Sequence, residues 1–300
     1  MIRAFSILVF YAAASVTAMA QFNIAPGGKS HPLGKDTLCF RYDFRAGDTL
    51  RYGIEAHDSV NIERGQSFSK TRKEVLQIAC DSVSISGLMH LTFSLVSAAE
   101  IHVSGKDTTR RTSSPWKNRK QHVTIDALGH RRAFSNDNDT VAGVSPGGTF
   151  PPMWLPIIDT SCGRQNQSWL SSDTVVLVEN AVPNPVVIQQ NFWRVLDRLD
   201  TLGRKTSVLQ YTQTGVGAVT MNSRDVKIDV KAILAGYGRL AFDRRWNVII
   251  HQFATVENRF TMTLPGGSLV NGKHWIRENI TLLKLISTDP KRSWQGATKR

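Results

Sequence analysis

From residue 36 onward, the sequence alternates apolar and polar residues with a period of two. Successive side chains of a β-strand point to opposite faces, so this pattern predicts strands with one face on a core and one in water. Such strands are typical of antiparallel sheets, and we therefore predict an all-β, mainly antiparallel fold. The alternation is clearest at Leu38, Phe40, Tyr42, Phe44, Leu91, Phe93, Leu95, Val226, Ile228, Val230, Phe260, Met262 and Leu264.

Four of the predicted strands are long, at about 69–82, 87–103, 185–200 and 224–235. Most strands in globular proteins have about 5–6 residues. Long antiparallel strands favour a large curved sheet or a half-barrel, because each strand twists relative to its neighbour.

The prolines divide the sequence into two β-rich halves. Six of the eleven prolines fall between residues 146 and 185, and proline cannot donate a hydrogen bond to a sheet. Val123–Asp126 resembles Leu240–Asp243, which favours distant copies of one unit; the alternative is a turn pattern common to many β proteins. The predicted segments are a flexible N-terminus at 21–35, a β half at 36–134, an irregular connector at 135–171, a β half at 172–286 and a basic tail at 287–300.

Residues 1–20 have the pattern of a secretory signal peptide. Arg3 supplies the positive start, residues 4–14 form a short apolar run, and small residues at 18 and 20 predict cleavage between Ala20 and Gln21. No later run of 18 apolar residues exists, so we predict no transmembrane segment in the mature chain. The expected location is the periplasm or the exterior of a bacterial envelope, as a soluble or peripheral protein.

The chain has three cysteines, Cys39, Cys80 and Cys162. An exported protein meets oxidising conditions, so one disulfide can form and one thiol is left over. Cys39 and Cys80 both lie in strand-like segments, and we predict that they pair. Three unpaired thiols are the alternative.

The sequence shows no motif that supports catalysis or metal binding. None of the eight histidines has the spacing of a zinc site, and no two carboxylates stand out as a catalytic pair. The G-x-S-x-G match at 143–147 carries Pro146 after the serine, and proline has no N–H for an oxyanion. We predict no metal, no cofactor and no catalytic residue, and favour a non-enzymatic protein over an unrecognised hydrolase.

The motif Tyr42-x-Phe44-x-x-Gly47-Asp48-x-Leu50-x-Tyr52, followed by Leu155-Pro156 and Trp169, resembles an uncharacterised family of exported bacterial β-sheet proteins. That resemblance implies distant kinship with periplasmic half-barrel carriers of lipids and lipoproteins. It implies no chemistry, because the family has none established.

The long strands and this resemblance together predict an envelope protein that binds an apolar or amphipathic, lipid-like ligand on a concave sheet. Its lining would come from the aromatic and leucine residues on the apolar strand faces, although plain core packing explains the same residues. The candidates are Phe40, Tyr42, Tyr52, Leu91, Phe93, Phe242 and Phe260.

The formal net charge of +13 favours an anionic partner, which outside the cytosol is a glycan or a membrane surface rather than nucleic acid. A surface protein that holds such a polymer is therefore the alternative function. Solvation and protection of exposed strand edges is the other explanation for the charge. The basic candidates between residues 106 and 132 are Arg110, Arg111, Lys117, Arg119, Lys120, Arg131 and Arg132.

Overall fold

The computed structural model describes residues 30–31, 37–63, 65, 67–112, 114, 117, 119–136, 154–176, 186–223 and 226–296. These residues form sixteen strands and one short 3₁₀ turn, Pro290–Arg292. The predicted signal peptide with its Ala20–Gln21 cleavage site, most of segment 21–35, the connector residues 137–153 and the last four residues of the tail lie outside them. The strands are β1 (Ser30–His31), β2 (Leu38–Cys39), β3 (Thr49–Ile62), β4 (Phe68–Val83), β5 (Met89–Ser104), β6 (Asp107–Arg111), β7 (Lys120–Ile125), β8 (Arg131–Asn136), β9 (Cys162–Gly163), β10 (Ser168–Val176), β11 (Val186–Thr201), β12 (Arg204–Ser223), β13 (Val226–Asp243), β14 (Ile249–Thr263), β15 (Leu269–Ile286) and β16 (Trp294–Gln295).

Fourteen of these strands form one antiparallel sheet, which confirms the predicted all-β fold. Its order is β1-β11-β12-β13-β14-β15-β3-β4-β5-β7-β8, and β10, β6 and β16 pair with β11, β5 and β15. The order is linear, so the sheet is open. Among the described residues, no helix is long and apolar enough to cross a membrane.

The two predicted halves join directly through one pair of strands. β3 of the first half pairs with β15 of the second along most of both strands, from Thr49–Ile286 to Ile62–Gly272. The described part of the connector is not wholly irregular, because it supplies β9 and the start of β10. The halves are therefore neighbouring parts of one sheet.

The segment 38–44 was expected to be a strand, and this detail is wrong. Only its first two residues, β2, pair as a strand, and they pair with β9 outside the main sheet. Beyond β2, the segment bonds to different loops: the Phe40 N–H donates to Ser161 at 2.6 Å and the Tyr42 N–H to Ala127 at 2.8 Å. Extended backbone outside a sheet also alternates its side chains, so the apolar side chains of segment 38–44, which we call the strap, face the main sheet.

The main core lies between this strap and one face of the sheet, which we call the inner face. Tyr42 donates its hydroxyl proton to the carbonyl of Pro156 at 2.9 Å, and Tyr52 donates to that of Ile249 at 2.8 Å. Both buried phenols are thus satisfied while their rings pack. The largest fully buried apolar side chains are Phe40, Tyr42, Phe44, Leu50, Tyr52, Ile78, Leu91, Ile125, Trp193 and Phe242.

A smaller apolar cluster covers the far end of the inner face. It is built on β12 and β13, where Val219, Val230, Ala232 and Leu234 are buried. Between the two clusters, the inner face carries buried polar side chains, including the ion cluster described below.

The aspartates that marked a possible internal repeat occupy matching turns. Asp126 Oδ1 accepts hydrogen bonds from the N–H groups of Leu128 and His130, at 2.9 and 3.0 Å. Asp243 Oδ1 accepts from the N–H groups two and three residues further on, at 2.9 and 2.7 Å. Each carboxylate thereby closes the turn between two neighbouring strands, β7–β8 or β13–β14.

Candidate functional site

An open groove of about 1100 Å³ crosses the outer face of the sheet, opposite the inner face. It runs over six neighbouring strands, from β11 to β3, and the register of the sheet places one lining residue of each strand in a single row. Strands lie about 4.8 Å apart, so the row is about 24 Å long. In sheet order this row consists of Ile188, Val216, Ile233, Arg259, Lys273 and Asn61.

One end of the row is apolar. Ile188, Val216 and Ile233 are 52%, 49% and 52% exposed, although they are large aliphatic side chains on adjacent strands. Single exposed hydrophobic residues are ordinary, but a contiguous group that lines a concavity marks a binding surface.

The other end of the row is charged. Arg259 Nε and Lys273 Nζ donate to the same carboxylate, Glu257, at 2.8 and 2.9 Å. Partial burial raises the pKa of Glu257, but the hydrogen bonds from these two cations outweigh it and hold that pKa below its usual value.

Lys231 lies at the junction of the two ends. It lines the groove on β13, two residues from Ile233 on the same strand and directly opposite Thr261 of β14. Its ammonium forms no ion pair with any carboxylate in the described part of the chain. The groove therefore offers an apolar floor beside a cation that has no ion pair among the described residues.

A second unusual site is a buried ion cluster centred on Arg72 of the inner face. The guanidinium donates to Asp58 at 2.8 Å, to Glu74 at 2.9 Å and to Glu278 at 3.0 Å. His274 approaches the other oxygen of Asp58 at 3.2 Å. Four strand-borne ionic side chains that are at most 6% exposed thus share one site, with three carboxylates around one permanent cation.

Burial sets the protonation of this cluster. Desolvation raises the pKa of Glu278 to about 7 against the pull of Arg72, and it raises the pKa of Glu74 in the same way. Burial also acts on Asp58, but the bonds from His274 and Arg72 outweigh it and lower that pKa. Glu278 Oε2 is buried without a hydrogen-bond partner among the described residues, which fits a carboxyl group that keeps its proton near neutral pH.

No group of three or more His, Cys, Asp or Glu residues in the described part of the chain is placed to hold a metal ion. His130 contacts two carboxylates, Asp126 at 2.9 Å and Asp159 at 2.8 Å. These contacts tie the loop after residue 154 to the β7–β8 turn.

Most of the seven residues predicted to line a ligand site lie in the main core rather than at the groove. Most of them are at most 2% exposed and belong to the main core; these are Phe40, Tyr42, Tyr52, Leu91 and Phe242. Phe93 is partly buried against the same core. Phe260 alone of the seven borders the groove, but its ring belongs to the inner face, where it packs against the smaller apolar cluster.

The basic candidates lie along one edge of the sheet. Arg110 and Arg111 pair with the far end of β5, Lys117 lies opposite Leu95, and Lys120 lies opposite Ser94. Arg131 reaches the Trp154 carbonyl and Arg132 reaches Asp126, both beside the β7–β8 turn, and Arg119 precedes β7. β5 spans about 40 Å from Ile101, which lies opposite Arg110, to Met89, whose β7 partner Ile125 pairs with Arg131, so the charges do not form one compact patch.

The predicted Cys39–Cys80 disulfide is wrong. Cys39 is bonded to Cys162, its register partner in the β2–β9 pair, and Cys80 is a buried free thiol. Cys80 lies in β4 of the main sheet, whereas Cys39 lies in the separate β2–β9 pair and meets Cys162 there.

The sequence contains a second signal, besides the period-two alternation, that points to the groove. Around its apolar end, the strands have apolar residues on both faces, as in Val186–Ile188 and Ala232–Leu234. Strands that are apolar on both faces are covered on both faces or present one of them to a ligand.

No protein-family model and no curated protein matches this sequence. The resemblance to exported β-sheet proteins therefore stays a prediction, and the groove is the feature from which a function can be inferred.

Proposed function

We propose that this chain is an exported binding protein that holds an amphipathic, lipid-like ligand in the outer-face groove. The observation that supports this proposal is the junction within the groove, where the exposed row Ile188–Val216–Ile233 meets the cations Lys231 and Arg259. A ligand with an apolar part and a polar part can contact both ends at once.

Burial of the apolar row supplies the affinity. Full burial of one aliphatic side chain is worth about 1.5–3 kcal/mol, and covering about half of each of three side chains amounts to roughly 2–4 kcal/mol before the ligand's own apolar surface is counted. The ligand's buried methylenes add up to about 0.8 kcal/mol each. Loss of ligand freedom opposes these gains.

The Cys39–Cys162 disulfide supports the exported location. Disulfides persist in oxidising compartments and are rare in the cytosol. Together with the signal-peptide pattern of residues 1–20, it favours a mature chain that begins at Gln21. Intact-mass measurement of the protein recovered from its native envelope tests this start site.

The alternative of an anionic glycan bound through the basic residues stays a prediction. Their spread along the β6–β8 edge gives it less support than a compact patch would. A heparin-retention assay on Arg110→Glu/Arg111→Glu/Lys117→Glu/Lys120→Glu addresses it directly: unchanged retention would exclude this surface.

Native mass spectrometry of the mature protein, purified from its native envelope without detergent, tests the ligand proposal. We expect an added mass that organic solvent releases as an amphiphile. The double variant Val216→Asp/Ile233→Asp should lose that mass, while Ile101→Asp/Val103→Asp, which alters two exposed aliphatic residues on β5, should keep it. Apo wild-type protein, or equal loss in both variants, would count against the groove.

A further inference from the structure

The groove also indicates which class of amphiphile it binds, an inference that rests on the proposed function. Its three cations are not equivalent: Arg259 and Lys273 already donate to Glu257, whereas Lys231 has no carboxylate partner in the described residues. An incoming anion therefore gains most at Lys231, where no existing ion pair must be broken.

The apolar part of the groove is narrow. Ile188, Val216 and Ile233 form one row across β11, β12 and β13, about 10 Å from end to end. On one side, the next outward row carries the polar residues Gln190 and Thr214. On the other side, it carries the small side chain of Ala218 beside Lys231, so the large aliphatic side chains form a single row. Such a floor matches one hydrocarbon chain that lies across the strands, not two chains side by side.

We infer that the ligand is a single-chain amphiphile with an anionic head group, a carboxylate or a phosphate monoester, bound at Lys231 with its chain along Ile233, Val216 and Ile188. The head group lies between Lys231 and the neighbouring cation Arg259, which supply its donors, because the Thr261 hydroxyl opposite Lys231 already donates to Oδ1 of Asn271 at 2.9 Å. The chain leaves this point toward β11, where the floor is apolar.

The buried ion cluster is not a competing site for this ligand. Arg72 and its three carboxylate partners are at most 6% exposed, and their bonds already occupy the guanidinium. An anion would also meet an excess of carboxylates there, whereas the groove carries three cations against the carboxylates Glu63 and Glu257.

Calorimetric titration of the full mature chain with probes that share one chain length tests the inference. Dodecanoate and dodecyl phosphate carry the two anionic heads, 1-dodecanol is neutral and dodecyltrimethylammonium is cationic, all used as monomers. Because a hydrogen bond from an ammonium to an anionic group is stronger than one to a neutral hydroxyl, we expect at least one anionic probe to bind about tenfold or more tightly than 1-dodecanol. The ratio between the two anionic probes identifies the preferred head group.

Lys231→Glu is the decisive variant. We expect it to weaken the anionic probes about tenfold or more and to leave 1-dodecanol nearly unchanged, because the apolar floor is intact. Lys73→Glu is the matched control, since Lys73 is an exposed strand lysine outside the groove; it should change none of the affinities by more than about twofold.

The outcomes separate the two proposals. If 1-dodecanol binds as tightly as both anionic probes, or Lys231→Glu acts no more strongly than Lys73→Glu, the head-group inference fails while the groove remains a ligand site. If no probe binds the apo protein and Val216→Asp/Ile233→Asp keeps the native ligand, both proposals fail.

Discussion

Arg72 on β4 donates a hydrogen bond to Glu278 on β15 across the strand that lies between them. Nη2 of Arg72 is 3.0 Å from Oε1 of Glu278, and both residues are register neighbours of Ala56 on β3. The single methyl group of Ala56 leaves the guanidinium room to cross. β4 belongs to the first half of the sequence and β15 to the second, so this contact links the two halves at the strands where they join.

Replacing Arg72 with methionine should therefore destabilise the fold strongly. The change leaves Asp58, Glu74 and Glu278 buried without their cation, and breaking a buried ion pair in this way costs about 3–5 kcal/mol. Urea unfolding measures the loss. Lys73→Met, one residue away but exposed and paired with exposed Glu55, should cost less than about 1 kcal/mol. Equal effects of the two variants would contradict the role assigned to the cluster.

The same cluster makes stability depend on pH in a stated direction. Burial raises the pKa of Glu278 from 4.5 to about 7, so between these values the folded protein retains a proton that the unfolded chain has released. Stability is then fully present below about pH 4.5 and is lost as the pH rises toward 7, by about 3 kcal/mol from this group. Glu74 acts in the same direction, whereas Asp58, whose pKa is lowered, favours folding above its unfolded value of 3.8.

Urea midpoints between pH 4.5 and 8 test this dependence. Glu278→Gln cannot release the proton, so its stability should fall less steeply over that range than that of the wild type. Glu55→Gln, an exposed carboxylate on β3, is the matched control and should keep the wild-type slope. A wild-type curve that rises from pH 4.5 to 7, or a Glu278→Gln slope equal to that of the control, would contradict the protonated state.

Alternation predicted the sheet because it is a local property of each strand. It also contained a signal for the ion cluster: Asp58 continues the inward phase of Leu50, Tyr52, Ile54 and Ala56 on β3, so a charged residue points at the core. The groove was less accessible to prediction, because its row joins residues from six strands and depends on the register between them. A one-residue slip of any strand would remove its side chain from the row.

The alternation also led to a wrong prediction at the strap, where it predicted a sheet strand. Phe40 and Tyr42 show the pattern of a half-buried strand, and the pattern correctly indicates extended backbone with one apolar side. It does not indicate where the N–H groups donate, and here they donate to loops. The same limit explains the aromatic candidates: sequence shows that one face is apolar, but not whether a second layer covers that face.

The Cys39–Cys162 disulfide should be a major contribution to stability. It links residues 123 positions apart, and a loop of that length is worth about 2–5 kcal/mol. Cys39→Ala/Cys162→Ala should lower the unfolding free energy by that amount. Cys80→Ala is the control, and it should cost about 1 kcal/mol for the small cavity it leaves in the core.

Thiol labelling checks the pairing itself. Burial raises the pKa of the Cys80 thiol to about 12, so native protein should resist alkylation at pH 8. In denaturant without reductant, we expect one label, at Cys80; after reduction, three. A label at Cys162 before reduction would show that Cys39 is not bonded to it.

Gly238 is required because Tyr211 lies across it. A Cβ at position 238 would come within 2.5 Å of the Tyr211 ring and 2.6 Å of the Phe253 carbonyl, so a methyl group there must displace both. Gly238→Ala should therefore destabilise the fold by about 1–3 kcal/mol, as overpacking does. Gly53→Ala is the matched control, since its Cβ meets only the flexible end of Leu283 at 3.3 Å, and its effect should stay within about 1 kcal/mol.

A double-mutant cycle separates the two contacts at Gly238. Tyr211→Leu removes the ring and should make Gly238→Ala less costly than in the wild type, but the fixed Phe253 carbonyl should prevent full recovery. The double variant should then cost less than the sum of the two single variants in urea unfolding, and the difference should be smaller than the cost of Gly238→Ala alone. A coupling near zero would mean that the Phe253 carbonyl, rather than the Tyr211 ring, excludes a side chain at position 238. Gly238 would then be required for the β13–β14 pairing, and not because the Tyr211 ring crosses β13 toward Glu278.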